Sequence, residues 1–410
     1  MNSAQLPIRK FPCPGCGADL DFDPGIGRLK CPHCNREEAI PQTAEEIQAH
    51  DYEEYFSGKR TRLSRLAAAA VELDCPDCGA GIIFEPPDSA GQCPFCAANL
   101  SIAQTRLASA TLSPEGIVPF QCDRATAQKQ LQRWLKQRWL APFGFSRLVQ
   151  PDKLEGVYLP HWTYDFQTTT RYTGSRYVYY GGNENRQSTS GTVDCSFKGV
   201  LVPATTSVSS DCLQALRPWQ GKDTKHTFFT NLLSFLKELR LLFPVQFFNQ
   251  PDGAVHPLQA DLRLYSSAYL AGFKAQRPQV SLKAGFETSQ KQVKTAINCA
   301  ICDRLGGEQP FILGQSTAYR AITFNLVLLP VWLFAYRYQD KQYQVAINGC
   351  TQKLQGNYPI SRSKRFLMIV FAITIVTTAL IKLLSLPIPI IFLILFPPLI
   401  LFVNWRCKKR

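Results

Sequence analysis

The stretch "CPGCGADLDFDPGIGRLKCPHC", Cys13 to Cys34, returns further along as "CPDCGAGIIFEPPDSAGQCPFC", Cys75 to Cys96. Each reads C-x2-C, fourteen residues, C-x2-C, so the same four points carry cysteine twice. Two thiolates separated by two residues form a knuckle whose backbone amides face the sulfurs, and two knuckles close a tetrahedral cage. Gly17 and Gly79 follow the second cysteine of each first knuckle and supply the positive φ that such a turn needs. "ADLDF" and "AGIIFE" then alternate as short strands do. The spacing predicts two ribbons ligated by Cys13, Cys16, Cys31, Cys34 and by Cys75, Cys78, Cys93, Cys96. Disulfide-bonded loops or plain buried thiols would have no reason to repeat this spacing. Zn2+ is the expected ion, one per ribbon and structural, because four cysteines leave no open position for water or substrate. Iron, as in a rubredoxin-like centre, suits the same ligands and stays the alternative. His33, inside a knuckle, reads as a solvent-facing residue rather than a ligand.

Thiolate metal sites belong to a reducing compartment, which places the ribbons in the cytosol. The chain has 410 residues, room for two or three domains, and fifteen cysteines. Beyond the eight ligands stand Cys122, Cys195, Cys212, Cys299, Cys302, Cys350 and Cys407. "CAIC", Cys299 to Cys302, is a further C-x-x-C without a second pair and reads as core. The net charge of +14 raises a nucleic-acid reading, so its location matters. The first ribbon sets Asp19, Asp21 and Asp23 against Arg28 and Lys30; the second has Asp77, Glu85 and Asp88 and no cation. Phosphate binding needs positive charge, and these loops do not offer it. A basic run, "GKRTRLSR", lies on the connector between the ribbons.

No apolar leader opens the chain, but its far end is apolar. Phe366 to Leu384 is nineteen residues with a single charge, and Leu386 to Trp405 is twenty with none. At about 1.5 Å per residue, each would cross a hydrocarbon core of about 30 Å. Arg362, Lys364 and Arg365 precede the pair, and Arg406, Lys408, Lys409 and Arg410 follow it. Basic flanks mark the cytoplasmic side, so the expectation is a multi-pass hairpin in the cell's inner membrane with both termini cytoplasmic.

Between these ends, "DRATAQKQLQRWLKQRWLAP" carries Leu131, Leu135 and Trp139 at helical spacing with a basic outer face, a helix packed on a sheet or, alternatively, lying on the membrane. "YLPHWTYDF", Tyr158 to Phe166, and "LLPVWLFAY", Leu328 to Tyr336, share L-P-x-W followed by alternating large residues. Trp162, Tyr164 and Phe166 should face as Trp332, Phe334 and Tyr336 do, in two related β-hairpins entered through edge-compatible prolines. Pro330 and the alternation make the second segment a buried strand rather than a span. Asn348-Gly349 reads as a turn. Thr227 to Phe248 forms an apolar stripe, on the core or at a membrane interface. No phosphate-binding loop is present, and His161 with Asp165 lacks a nucleophile, so no catalytic set stands out and the expectation is a non-enzyme.

"EGIVPF", "RWLKQRWLAP", "LEGVYLPHWTYDFQTTTRYTGSR", "YLAGF", "LLPVWLFAYRY" and "INGCTQKLQG" together resemble a bacterial family of zinc-ribbon membrane proteins. Its members are catalogued as primosomal protein N′ (replication factor Y)-like or TFIIB-type zinc-ribbon proteins. The resemblance spans most of Glu115 to Arg365 and implies a C-terminal membrane segment. This chain departs from the pattern with an insertion from about Gln220 to Ala260 and with "DRLGGE", Asp303 to Glu308, in place of an acidic motif. The replication name implies a DNA-associated role, but the helicase's ATPase motifs are missing here.

The resulting expectation is a multidomain chain: a first ribbon (1–40), a helical connector (41–72), a second ribbon (73–105), an α+β core (106–360) and a transmembrane helical hairpin with a basic tail (361–410). In function it reads as a membrane-anchored, cytosol-facing scaffold or adaptor that recruits protein partners through its ribbons. The alternative is a DNA-associated replication or repair factor.

Overall fold

The computed structural model describes residues 11–41, 47–57, 71–84, 92–98, 100, 105–107, 113–180, 183–209, 212–213, 216, 261–306, 308–370 and 374. The first ribbon is a small sheet of its own, β1 (Asp21–Asp23), β2 (Arg28–Lys30) and β3 (Glu37–Glu38). The remaining described strands join one twelve-stranded sheet. It begins with β4 (His50–Asp51), which leads into helix α1 (Tyr52–Phe56), and continues with β5 (Val71–Asp74), β6 (Gly81–Phe84) and β7 (Thr105–Leu107). Next come β8 (Gly116–Ile117), helices α2 (Arg124–Lys136) and α3 (Phe145–Leu148), and the long hairpin β9 (Glu155–Tyr180) and β10 (Asn183–Pro203). β11 (Arg263–Leu264), β12 (Lys274–Gln276), helix α4 (Leu282–Leu305), β13 (Glu308–Tyr338), β14 (Lys341–Asn348) and β15 (Leu354–Gly356) complete it. An α+β core is therefore present.

The echo between the two aromatic segments has a geometric origin. β9 and β13 lie antiparallel with Leu159 opposite Leu329, Pro160 opposite Leu328 and Tyr158 opposite Pro330. A local two-fold axis at that point exchanges one L-P-x-W motif with the other. β12 pairs parallel with β9 through Lys274 and Ala275, and β8 pairs parallel with β13 through Gly116 and Ile117 at the equivalent positions. The Pro160 carbonyl accepts the Ala204 N–H and the Pro330 carbonyl accepts the Gly349 N–H, both at 2.9 Å. Trp162 donates its indole N–H to the Val280 carbonyl at 2.9 Å; Trp332 donates to the Cys122 carbonyl at 3.0 Å. A helix then starts on each side. Asp123 caps α2 by accepting the Thr126 N–H at 3.0 Å, and Ser281 caps α4 by accepting the Ala284 N–H at 3.3 Å. The core is thus two strand–helix–hairpin repeats, each laying its entry strand on the other's hairpin.

This symmetry corrects the expectation that the prolines enter at an edge. Pro160 lies inside β9, between the pairing with β12 at Tyr158 and with β10 at His161. Pro330 lies inside β13, between β8 at Leu328 and β14 at Val331. A proline has no N–H to donate, and each occupies the gap where one neighbouring strand hands over to the next.

α4 buries a single stripe, with Phe286, Val293, Ile297, Ile301 and Leu305 along it. The stripe packs on Trp162, Tyr164, Phe166, Val193 and Phe197 of the β9–β10 hairpin. Gly285 lets the helix approach: a Cβ there would meet the Tyr164 hydroxyl and lie 2.8 Å from Trp162 Cδ1. Cys299 is exposed and Cys302 half-buried, so the C-x-x-C pair sits on the outer face of α4 and not in the core as expected. α2 ends at Lys136, so its buried stripe is Ala127, Leu131 and Trp134, and Trp139 falls outside the helix. Within the connector expected to be helical, His50–Asp51 instead pairs with Thr323 and Phe324 of β13, and Asp51 caps the short α1. β14 ends at Asn348, whose side-chain oxygen accepts the N–H of Cys350 (2.8 Å) and Thr351 (2.9 Å), which makes the Asn348-Gly349 turn.

The chain divides into two compact units, the second comprising Leu135–Val149, His226–Phe248 and Tyr358–Arg410. Residues 362–370 of that unit are helical. The run 58–65, the stripe 227–248 and nearly all of the two apolar segments lie outside the described residues. Among the described residues no helix is long and apolar enough to cross a membrane.

Candidate metal centres

Both cysteine quartets are assembled. In each, four Sγ atoms lie within 4.8 Å of one another, and all eight cysteines are free of disulfides. Cys13 and Cys34 are 3.4 Å apart through sulfur, Cys16 and Cys31 3.4 Å, Cys75 and Cys96 3.5 Å, Cys78 and Cys93 3.8 Å. Zinc with Zn–S bonds of about 2.3 Å holds its sulfurs about 3.8 Å apart in a tetrahedron. The donor sets fit such an ion, and equally an iron of similar size.

Four copies of one backbone turn build the cages. Cys13, Cys31, Cys75 and Cys93 each donate an N–H to the carbonyl five residues on, and each carbonyl accepts the N–H four residues on, at 2.7–3.0 Å. That loop forces the residue after the second cysteine into left-handed conformation: Gly17 φ 77°, Asn35 φ 59°, Gly79 φ 69° and Ala97 φ 59°. Two of the four turns therefore lack the glycine that sequence reading relied on, and Ala97 holds a conformation that costs about 1–2 kcal/mol. Amides also point at sulfur, Gly15 N–H to Cys13 at 3.4 Å and Cys34 N–H to Cys31 at 3.5 Å. The Cys34 amide pulls the Cys31 thiol down to about 6. The Cys93 thiol, by hydrogen bonding, pulls Cys78 down to about 5, while burial pushes Cys96 up to about 11. In each quartet hydrogen bonds to sulfur thus favour the thiolate form that a metal cation takes.

The two cages sit in opposite settings. The first rests on the core through Phe22, which is buried, donates its N–H to the Ala271 carbonyl at 3.1 Å and meets Tyr269 edge-on at 5.3 Å. Its knuckle tips, Pro14–Gly15–Cys16 and Pro32–His33–Cys34, are all exposed, and His33 faces solvent as expected. The second is part of the main sheet: β6 pairs with β12, and Cys75, Cys93 and Cys96 share a cluster with Leu159, Leu329 and Val331. Phe95, at the position that His33 fills in the first ribbon, is 0% exposed. Its carbonyl accepts the side-chain amides of Gln342 and Gln344 from β14. Arg337 of β13 pairs with Asp77 and donates to the Cys96 carbonyl at 3.3 Å. The second cage is pinned on three sides, through Phe95, Asp77 and Cys96.

Other polar residues singled out by sequence are structural. His161 is buried with Nδ1 at 3.1 Å from the Leu159 carbonyl. Asp165 accepts the Gly199 N–H and so fixes the bulge where β10 slips against β9 between Phe197 and Val200. A pair the sequence did not reveal is His50 Nε2 and Glu115 Oε1, 2.7 Å apart and mostly buried. The other Glu115 oxygen accepts the Leu326 N–H at 2.9 Å, and burial pushes its carboxyl up. The fold brings together residues sixty-five apart; no local motif marks them.

No protein-family model and no solved structure matches the chain. It is similar to the uncharacterized protein YdjG of Bacillus subtilis (strain 168), 23% identical over 366 residues, covering 87% of this chain and 92% of that protein.

Proposed function

We propose that this chain is a membrane-anchored, cytosol-facing adaptor in which one zinc ribbon is a structural part of the core and the other is the contact module. The observation that carries this reading is the contrast at one position, buried Phe95 against exposed His33. A ribbon whose second knuckle, Pro94–Phe95–Cys96, is sealed in the core serves to support the fold. A ribbon that rests on the core through Phe22 and its neighbour Asp21, which lies beside Gly272, and turns both knuckle tips to solvent is built to meet something else. The metal is zinc in this reading, and the resemblance to zinc-ribbon membrane proteins points the same way. The anchor is the pair of apolar runs from Phe366 to Trp405. No catalytic role is assigned: buried His161 and half-buried Asp165 and Glu115 all hold backbone groups.

A photo-crosslinking residue placed at His33 or at Gly15 of the full chain in living cells tests the contact module. The reading expects discrete adducts from both, recovered with the carbonate-washed membrane pellet, and none from the same residue on exposed Gly25 of the opposite loop. Equal patterns at all three positions would refute it. A DNA-associated role is the second reading, favoured by the charge of +14. Retention of the purified chain on DNA, lost steeply with salt, would replace the first reading with the second.

A further inference from the structure

The second unit presents large apolar side chains to water. Phe143 is 91% exposed, Leu367 60% and Trp139 46%. This is not a frayed segment. Lys364 donates to the carbonyls of Trp139 (2.8 Å) and Ala141 (2.7 Å), and Ser361 donates its N–H to the Leu140 carbonyl at 2.9 Å. Leu140, Ala141 and Phe145 are buried on either side of Phe143, and Gly144 at φ 80° turns the chain between them. The 139–143 loop is therefore stapled to the start of the 362–370 helix and held with its rings outward. The Lys364 ammonium lies 4.4 Å over the Phe143 ring, and Arg138 stands 5.2 Å over Tyr358.

Charge points to the occupant. Residues 135–149 and 358–370 contain Lys136, Arg138, Arg147, Arg362, Lys364 and Arg365 and no Asp or Glu. The helix to which the loop is stapled leads in sequence straight into the apolar run from Phe366. Aromatic rings beside cations, at the mouth of an apolar segment, match the headgroup zone of a bilayer, where amphipathic rings sit and basic side chains meet anionic phosphates. We propose that the Trp139–Phe143 loop is an interfacial anchor that sets its two rings among the headgroups of an anionic leaflet, where the 362–370 helix approaches it. This rests on the membrane-anchored reading above and adds a second, separate contact with the lipid.

The test uses the full chain in nanodiscs of phosphatidylcholine and phosphatidylglycerol, with trifluoromethyl-phenylalanine placed at Phe143 or, as a reference, at buried Phe145. Fluorine relaxation is read with a lipid carrying a nitroxide near its headgroup and, separately, with a water-soluble gadolinium chelate. The proposal expects the Phe143 signal to broaden at least about threefold more with the nitroxide lipid than the Phe145 signal does, and to be sheltered from gadolinium. If the chain elutes with the discs but Phe143 responds to gadolinium alone, the loop proposal is overturned and the anchor reading stands. Shelter from both reagents would mean a protein covers the loop and also overturns it. A chain that does not elute with the discs overturns both.

Discussion

Phe95→Ala and His33→Ala are the same edit at equivalent points of two ribbons, and the structure assigns them very different costs. Phe95 is fully buried and packs within the cluster that contains Ala80, Ile82 and Val118. Its hydrogen bonds run through its carbonyl to Gln342 and Gln344, so alanine keeps them and only packing is lost. Truncating a buried phenylalanine costs about 3–5 kcal/mol through lost transfer energy and the cavity left behind. His33 touches solvent, where substitutions stay within about 0.5 kcal/mol. At about 2–4 °C per kcal/mol, the scale for domains of 150–250 residues, Phe95→Ala should lower the melting temperature by roughly 6–20 °C. His33→Ala should leave it within about 2 °C. Circular dichroism of the detergent-solubilised chain, followed through the strand band, reads both. Equal small shifts for the two variants would refute the claim that the second ribbon belongs to the core.

Gly285→Ala drives a methyl against the Tyr164 hydroxyl and Trp162, an overpacking cost of about 1–3 kcal/mol in urea unfolding. Adding Tyr164→Phe removes the first atom struck and should return part of that loss; strict additivity would contradict the packing described. Ala97→Gly relieves a left-handed alanine and should stabilise the chain by about 0.5–1 kcal/mol, whereas Gly17→Ala should do the reverse; a destabilised Ala97→Gly would show the turn to be otherwise formed. With the first quartet disabled by Cys16→Ser and Cys34→Ser, zinc affinity at the second should rise with pH. Cys78, at about 5, is already ionised at neutrality, but Cys96, at about 11, and Cys93, pushed up by its hydrogen bond to Cys78 and by burial, must release protons to bind. Binding therefore displaces protons, and affinity should climb steeply with pH between about pH 6 and 8; a flat profile would contradict this.

Much of this was legible before any coordinates. Cysteine spacing alone located both quartets, because tetrahedral ligation tolerates little variation in knuckle length. The L-P-x-W echo announced related strands, but not that Leu159 and Leu329 lie opposite each other, since pairing partners 170 residues apart leave no local trace. The unlike fates of the ribbons were written in Phe95 against His33, with apolar Ile83 where the first ribbon has charged Asp21 beside it. That signal is one side chain wide, and it is readable only once the two copies are laid over one another. Trp139 misled because helical spacing says nothing of where a helix stops; α2 ends at Lys136. Cys299 and Cys302 misled because apolar neighbours in a helix are shared between its two faces, and the stripe through Ile297 and Ile301 took the inner one.

Metal release under a chelator tests the central claim most directly. The native full chain should carry two ions, with one lost quickly to excess chelator at a rate indifferent to urea, from the exposed first ribbon. The other should leave only as the core unfolds, at the midpoint seen by circular dichroism, and Cys93→Ser should abolish that slow phase alone. Fewer than two ions, or both lost together from a chain that remains folded, would contradict the account.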